Sequence, residues 1–161
     1  MFPRWVVGGP SATNAASPAL LREVAPGLFV GSALSRAHVD PSAAVMQFSH
    51  QCTISTRSYV LRMPFVDCEP IPHGVLDACV AFARAHRAER PLLLQCFAGL
   101  SRSASVAYAV LRAVDGLGHD AALARVAHAV EHYDRTHRFP HHATIASAKA
   151  WCDAWLNTPA T

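Results

Sequence analysis

Short apolar runs alternate along this chain with longer stretches of helical periodicity. Ala43 to Phe48 (AAVMQF) and Pro91 to Leu94 (PLLL) are nearly continuous in hydrophobic residues and bounded by polar or turn-forming ones, the pattern of strands covered on both faces of a parallel sheet. A shorter run, Leu28 to Val30, follows a Pro-Gly turn and precedes Gly31-Ser32 and a small helix. Ser58 to Phe65 (SYVLRMPF) reads as another strand, and the polar stretch before it alternates over Cys52 to Ser55 in a way that suits an edge strand. The apolar positions Val75, Leu76, Cys79, Val80 and Phe82 recur near helical spacing and predict a helix from Val75 to about Arg87. Further helices are predicted over Ser103 to Arg112, Ala121 to Tyr133 and Ala143 to Leu156.

This alternation predicts an α/β fold, a small, mostly parallel central sheet flanked by helices on both faces. Residues 1–18, rich in Gly, Pro, Ala, Ser and Asn, read as an N-terminal arm that Trp5, Val6 and Val7 pin to a single domain spanning 19–158.

Composition narrows the class. With 161 residues, 52% hydrophobic and 16% charged, the chain has the length and balance of one compact domain. No apolar stretch approaches the roughly 20 residues that span a bilayer. The opening MFPRWVVGG is too short in apolar residues for a secretory signal, so a cytoplasmic location is expected, with no membrane partner. Net charge is +3, and 13 of the 14 basic residues are arginines scattered without a stripe, which argues against a nucleic-acid partner. The five cysteines have no close pair and predict reduced thiols in place of a disulfide framework or zinc site. His128 and His132, four apart, and His137, His141 and His142 read as solvated surface histidines, so no metal is expected.

The stretch PLLLQCFAGLSRS changes the picture. A buried-type strand delivers Cys96 into a loop of Phe97, Ala98, Gly99, Leu100 and Ser101, and a helix follows at once. A helix N-terminus gathers unpaired N–H groups and the positive end of the dipole, which bind a phosphate dianion and favour thiolate over thiol. Ala98 and Gly99 let the backbone curl close to such an anion. Arg102 adds a guanidinium fork for two phosphoryl oxygens. A hydroxyl at Ser103 is placed to assist departure of the sulfur when a phosphocysteine is hydrolysed.

QCFAGLSRS resembles the signature loop of the dual-specificity, cysteine-dependent protein phosphatases, His-Cys, any residue, Ala-Gly, any residue, Ser-Arg-Ser. Gln95 stands where that family has histidine, and Pro140 is followed by His141 where the family often has a Pro-Asn pair. The resemblance implies the protein tyrosine phosphatase-like fold and a nucleophile at Cys96. It also implies phosphate binding by residues 97–102, and no metal or organic cofactor.

A cysteine nucleophile gains about 10² to 10⁴ in rate from an acid that protonates the leaving oxygen. Asp67, at the end of the third strand in MPFVDCEP, is the candidate, with Glu69 behind it. The family carries its general acid in a loop at this place. Cys68 beside it is a candidate for condensing with oxidised Cys96.

The leading expectation is hydrolysis of phosphotyrosine, phosphoserine or phosphothreonine in protein or peptide substrates. Phe97 is apolar where phosphoinositide-directed relatives usually have lysine, which weighs against inositol lipids. The second reading is a phosphate-binding module in which Gln95 blunts turnover, and the third is sulfur transfer or arsenate reduction.

Overall fold

The computed structural model describes residues 21–130 and 141–159. The N-terminal arm and the histidines at 132 and 137 lie outside these residues. In chain order the elements are β1 (Leu21–Ala25), β2 (Leu28–Gly31), a 3-10 helix (Ser35–His38), β3 (Ala44–Gln47) and β4 (Val60–Arg62), then α1 (His73–His86), β5 (Leu92–Gln95), α2 (Arg102–Ala113), α3 (His119–Val130) and α4 (His142–Leu156). The strands form one sheet in the order β1-β2-β5-β3-β4. β2, β5, β3 and β4 run parallel, and β1 is antiparallel to β2 at one margin.

The apolar runs fold as strands because both faces are covered. β2, β3 and β5 are buried at every position. Leu28, Val30, Ala44, Met46, Leu92 and Leu94 share one core with the helices, whereas Phe29, Val45 and Leu93 share a smaller core with Val39 and Ala43. Each fully buried leucine contributes about 1.5 to 3 kcal/mol. α2 is buried at all 12 of its positions, which makes it the central helix and fixes the loop that precedes it. Gly31 permits the 3-10 helix to close on the second face, since a Cβ there would lie 2.1 Å from Ser35 Oγ.

The structure departs from the sequence reading in three places. β1 is an added strand, its LREVA sequence masked by two charges on a half-buried margin and by an irregular register between Glu23 and Ala25. The 52–55 stretch is a loop. Side chains satisfy its carbonyls: Gln47 Nε2 donates to Thr53 O at 2.8 Å, and Arg36 donates to Thr53 O and Ile54 O at 3.3 and 3.2 Å. Strands β3 and β4 are shorter than their apolar runs, and α3 is described only to Val130, so the predicted end at Tyr133 lies outside the described residues. Among the described residues no helix is long and apolar enough to cross a membrane.

Candidate active site

The site forms where parallel strands end, the edge at which α/β sheets bind ligands. Beyond β5, Cys96 N donates to Gly31 O at 3.1 Å, and Ala33 N donates to Phe97 O at 3.0 Å, so the loop leaves the sheet tied to the segment after β2. Gly99 then adopts φ 77°, a conformation that a side chain would strain. That turn brings its N–H to 3.2 Å from Cys96 Sγ. Ser103 Oγ, in the first turn of α2, lies 3.3 Å from the same sulfur. Cys96 is therefore a buried thiol with a backbone donor and a hydroxyl already directed at it. Phe97 and Ala98 are exposed, Leu100 packs on the core, and Ser101 is buried with its Oγ accepting from His141 N at 3.2 Å. The N-terminus of α4 thus braces the loop.

Arg102 is buried, and its Nη1 donates to Phe48 O at 3.3 Å and Phe65 O at 3.2 Å, which pins the segments after β3 and β4 beside the cysteine loop. Its Nε faces Asp67 Oδ1 at 3.8 Å. Asp67 is exposed, and its carboxylate also accepts from Cys68 N at 2.9 Å, holding a tight turn in which Cys68 has φ 61°. Two further bonds moor this segment to α4: Thr144 Oγ1 donates to Glu69 O at 3.1 Å, and Ile71 N donates to Ser147 Oγ at 2.8 Å. The structure thus brings Cys96, Ser103, Arg102 and Asp67 to one sheet edge. Glu69 and Cys68 stay exposed on the same segment.

Sequence reasoning missed the support beneath this loop. Gln95 and Gln47 are register partners in β5 and β3, and both are buried. Gln95 Nε2 donates to Ser32 O at 3.0 Å and Ala33 O at 2.9 Å, while Gln47 Nε2 donates to Gln95 Oε1 at 2.9 Å. Gln47 Oε1 in turn accepts from Arg62 Nη1 at 3.0 Å. An amide ladder therefore crosses the sheet under Cys96 and leaves none of Gln95's hydrogen-bonding groups unused. The signal was present in the repeated ending of two apolar strands, AVMQ and LLLQ. The same Arg62 Nη1 donates to Cys52 O at 2.9 Å, and burial pushes the Cys52 thiol up from its ordinary value.

This arrangement of sheet, central helix and cysteine loop defines the dual-specificity phosphatase fold, and the resemblance carried by QCFAGLSRS extends over the described domain. No protein-family model and no curated protein matches the chain in sequence. Among solved structures, human DUSP28 is 27% identical over 88% of this chain and 99% of its own, with a TM-score of 0.70. A mouse protein described as a dual specificity phosphatase, complexed with zinc tungstate, is 26% identical over 89% of this chain and 92% of its own, with a TM-score of 0.67. The human tyrosine phosphatase-like serine/threonine/tyrosine-interacting protein shares the fold at 16% identity, covering 84% and 97% of the two chains with a TM-score of 0.67.

Proposed function

We propose that the protein hydrolyses phosphomonoesters on phosphotyrosine or phosphoserine/threonine protein substrates through a phosphocysteine intermediate. The observation that carries this reading is Cys96 Sγ held 3.2 Å from Gly99 N and 3.3 Å from Ser103 Oγ, with Arg102 and Asp67 at the same edge. The amides of residues 97–102 and the Arg102 guanidinium hold the three phosphoryl oxygens, and the Cys96 thiolate attacks phosphorus in line with the ester oxygen. As the S–P bond forms the P–O bond breaks, and the Asp67 carboxyl proton passes to the leaving oxygen. Water then attacks the phosphocysteine, losing a proton to the Asp67 carboxylate, and the Ser103 hydroxyl donates to the departing sulfur. The reaction draws on side chains and backbone alone.

Gln95 supports this reading more than a pure binding module. Its three hydrogen bonds order the loop from below, a task independent of the substrate. Turnover of para-nitrophenyl phosphate tests the proposal. The expected result is activity in the full chain that Cys96→Ser lowers by at least about 10³-fold; activity that survives Cys96→Ser would remove it.

A further inference from the structure

Six large hydrophobic side chains stand exposed among the described residues, and their distribution is uneven. Leu34, Ile54, Val66 and Phe97 are 60%, 67%, 62% and 49% exposed. Each follows a different strand, β2, β3, β4 and β5 in that order, and these four strands are parallel. All four side chains therefore belong to the segments at the carboxyl edge, around Cys96. Single exposed apolar residues need no explanation, but a cluster on one functional edge does.

The segments that carry them are fastened to one another. Ala33 N bonds Phe97 O at 3.0 Å, placing Leu34 beside Phe97. Arg36, just beyond Leu34, donates to Thr53 O and Ile54 O at 3.3 and 3.2 Å, which holds Ile54 near it. Phe65 O, next to Val66, accepts from Arg102 at 3.2 Å. The remaining two exposed apolar side chains lie elsewhere, and Tyr59, before β4, is covered by the Arg90 guanidinium 3.9 Å from its ring centroid.

We propose that Leu34, Ile54, Val66 and Phe97 form a docking rim for apolar side chains that flank the phosphorylated residue of a polypeptide substrate. This inference rests on the phosphatase reading and deepens it by naming the sequence class of the substrate. Position selects that occupant. The Cys96 loop takes the phosphoryl group, so the side chains next to the phosphorylated residue are the ones that meet the rim, and Arg36 and Arg62 on these segments turn their guanidinium groups onto carbonyls of the 50–54 loop. An apolar flank buries surface against Leu34, Ile54, Val66 and Phe97, whereas an acidic flank gains no such burial.

The test measures binding of paired phosphopeptides to the full chain carrying Cys96→Ser, by fluorescence anisotropy. Phosphotyrosine and phosphoserine peptides of equal length are made with either leucine and valine or glutamate on both sides of the phosphoresidue. The apolar-flanked peptide of at least one pair binds about tenfold tighter. Leu34→Glu or Ile54→Glu in the same background brings the ratio close to one, and Leu156→Glu, an exposed apolar position at the end of α4, leaves it intact. Equal affinities in both pairs, preference for glutamate flanks, or a preference that survives Leu34→Glu and Ile54→Glu overturns the proposal. So does co-sedimentation with phosphatidylserine vesicles when neither peptide pair is discriminated, which would assign the rim to a membrane. The phosphatase reading fails separately, by absence of para-nitrophenyl phosphate turnover in the wild-type chain, while the peptide ratio still reports on the rim.

Discussion

At the amino edge of the sheet, the arginines are spent on structure. Arg90 covers Tyr59, and Arg84 stacks 4.5 Å from the ring of Trp155. Arg87 grips both oxygens of Asp115 at 3.2 and 3.0 Å and donates to Pro26 O at 2.7 Å, joining the end of α1 to the end of α2 and to the β1–β2 turn. At the carboxyl edge the apolar side chains are bare, and a neutral amide ladder supports a loop with a buried thiol at its centre. One end of the fold closes its surface with cations, whereas at the other Arg36 and Arg62 are turned inward onto loop carbonyls and Arg102 stands beside the cysteine loop. Arginine in this chain thus reads as function only where a loop amide cluster and a nucleophile stand beside it.

Substitutions at the two edges should separate catalysis from stability. The largest effect expected is from Asp67→Asn, a loss of about 10² to 10⁴ in kcat for substrates with poor leaving groups. Because Asp67 is exposed, its melting temperature should stay near that of the wild type. Loss of stability without loss of kcat would remove Asp67 as the acid.

Gln95→Leu strands the carbonyls of Ser32 and Ala33 without their donor, at a cost of about 1 to 3 kcal/mol in urea unfolding, together with a fall in kcat as the loop loosens. Gln95→His is informative too. A neutral imidazole has one donor and one acceptor, so it cannot make all three bonds that Gln95 makes, and a loss of about 1 kcal/mol is expected. A fully stable, faster Gln95→His variant would contradict the ladder as the support of the loop.

At the amino edge, Asp115→Ala removes the partner of Arg87 and should cost about 1 to 2 kcal/mol with kcat unchanged. A matching loss of activity would show that the two edges are coupled.

The last effect is confined to alkaline solution. Burial pushes the Cys79 thiol up from its ordinary value of 9.0 to about 12, and that of Cys152 up to about 11. Folding therefore favours the protonated thiols, and this contribution is whole below pH 9 and lost as pH rises through about 11 to 12. Unfolding free energy should decline over that window and decline less in Cys79→Ala. Stability that rises there would reverse the assigned sign.

The sheet and the cysteine loop were legible in sequence because each depends on local pattern. Apolar runs such as LLL name buried strands, and a cysteine separated by five residues from an arginine at a helix start names an anion loop. The amide ladder was less legible, since Gln47 and Gln95 are 48 residues apart and meet only through β3–β5 register. β1 was hidden because a margin strand tolerates Arg22 and Glu23, which erase the apolar signal. The rim of Leu34, Ile54, Val66 and Phe97 needed strand direction, which no periodicity encodes.

The most direct test is acid-quench mass spectrometry of the wild-type chain mixed with a phosphomonoester. The expected result is a phosphoryl adduct on Cys96 that forms faster than steady-state turnover and accumulates further in Ser103→Ala. Turnover with no adduct at Cys96, or an adduct on another residue, would contradict the account.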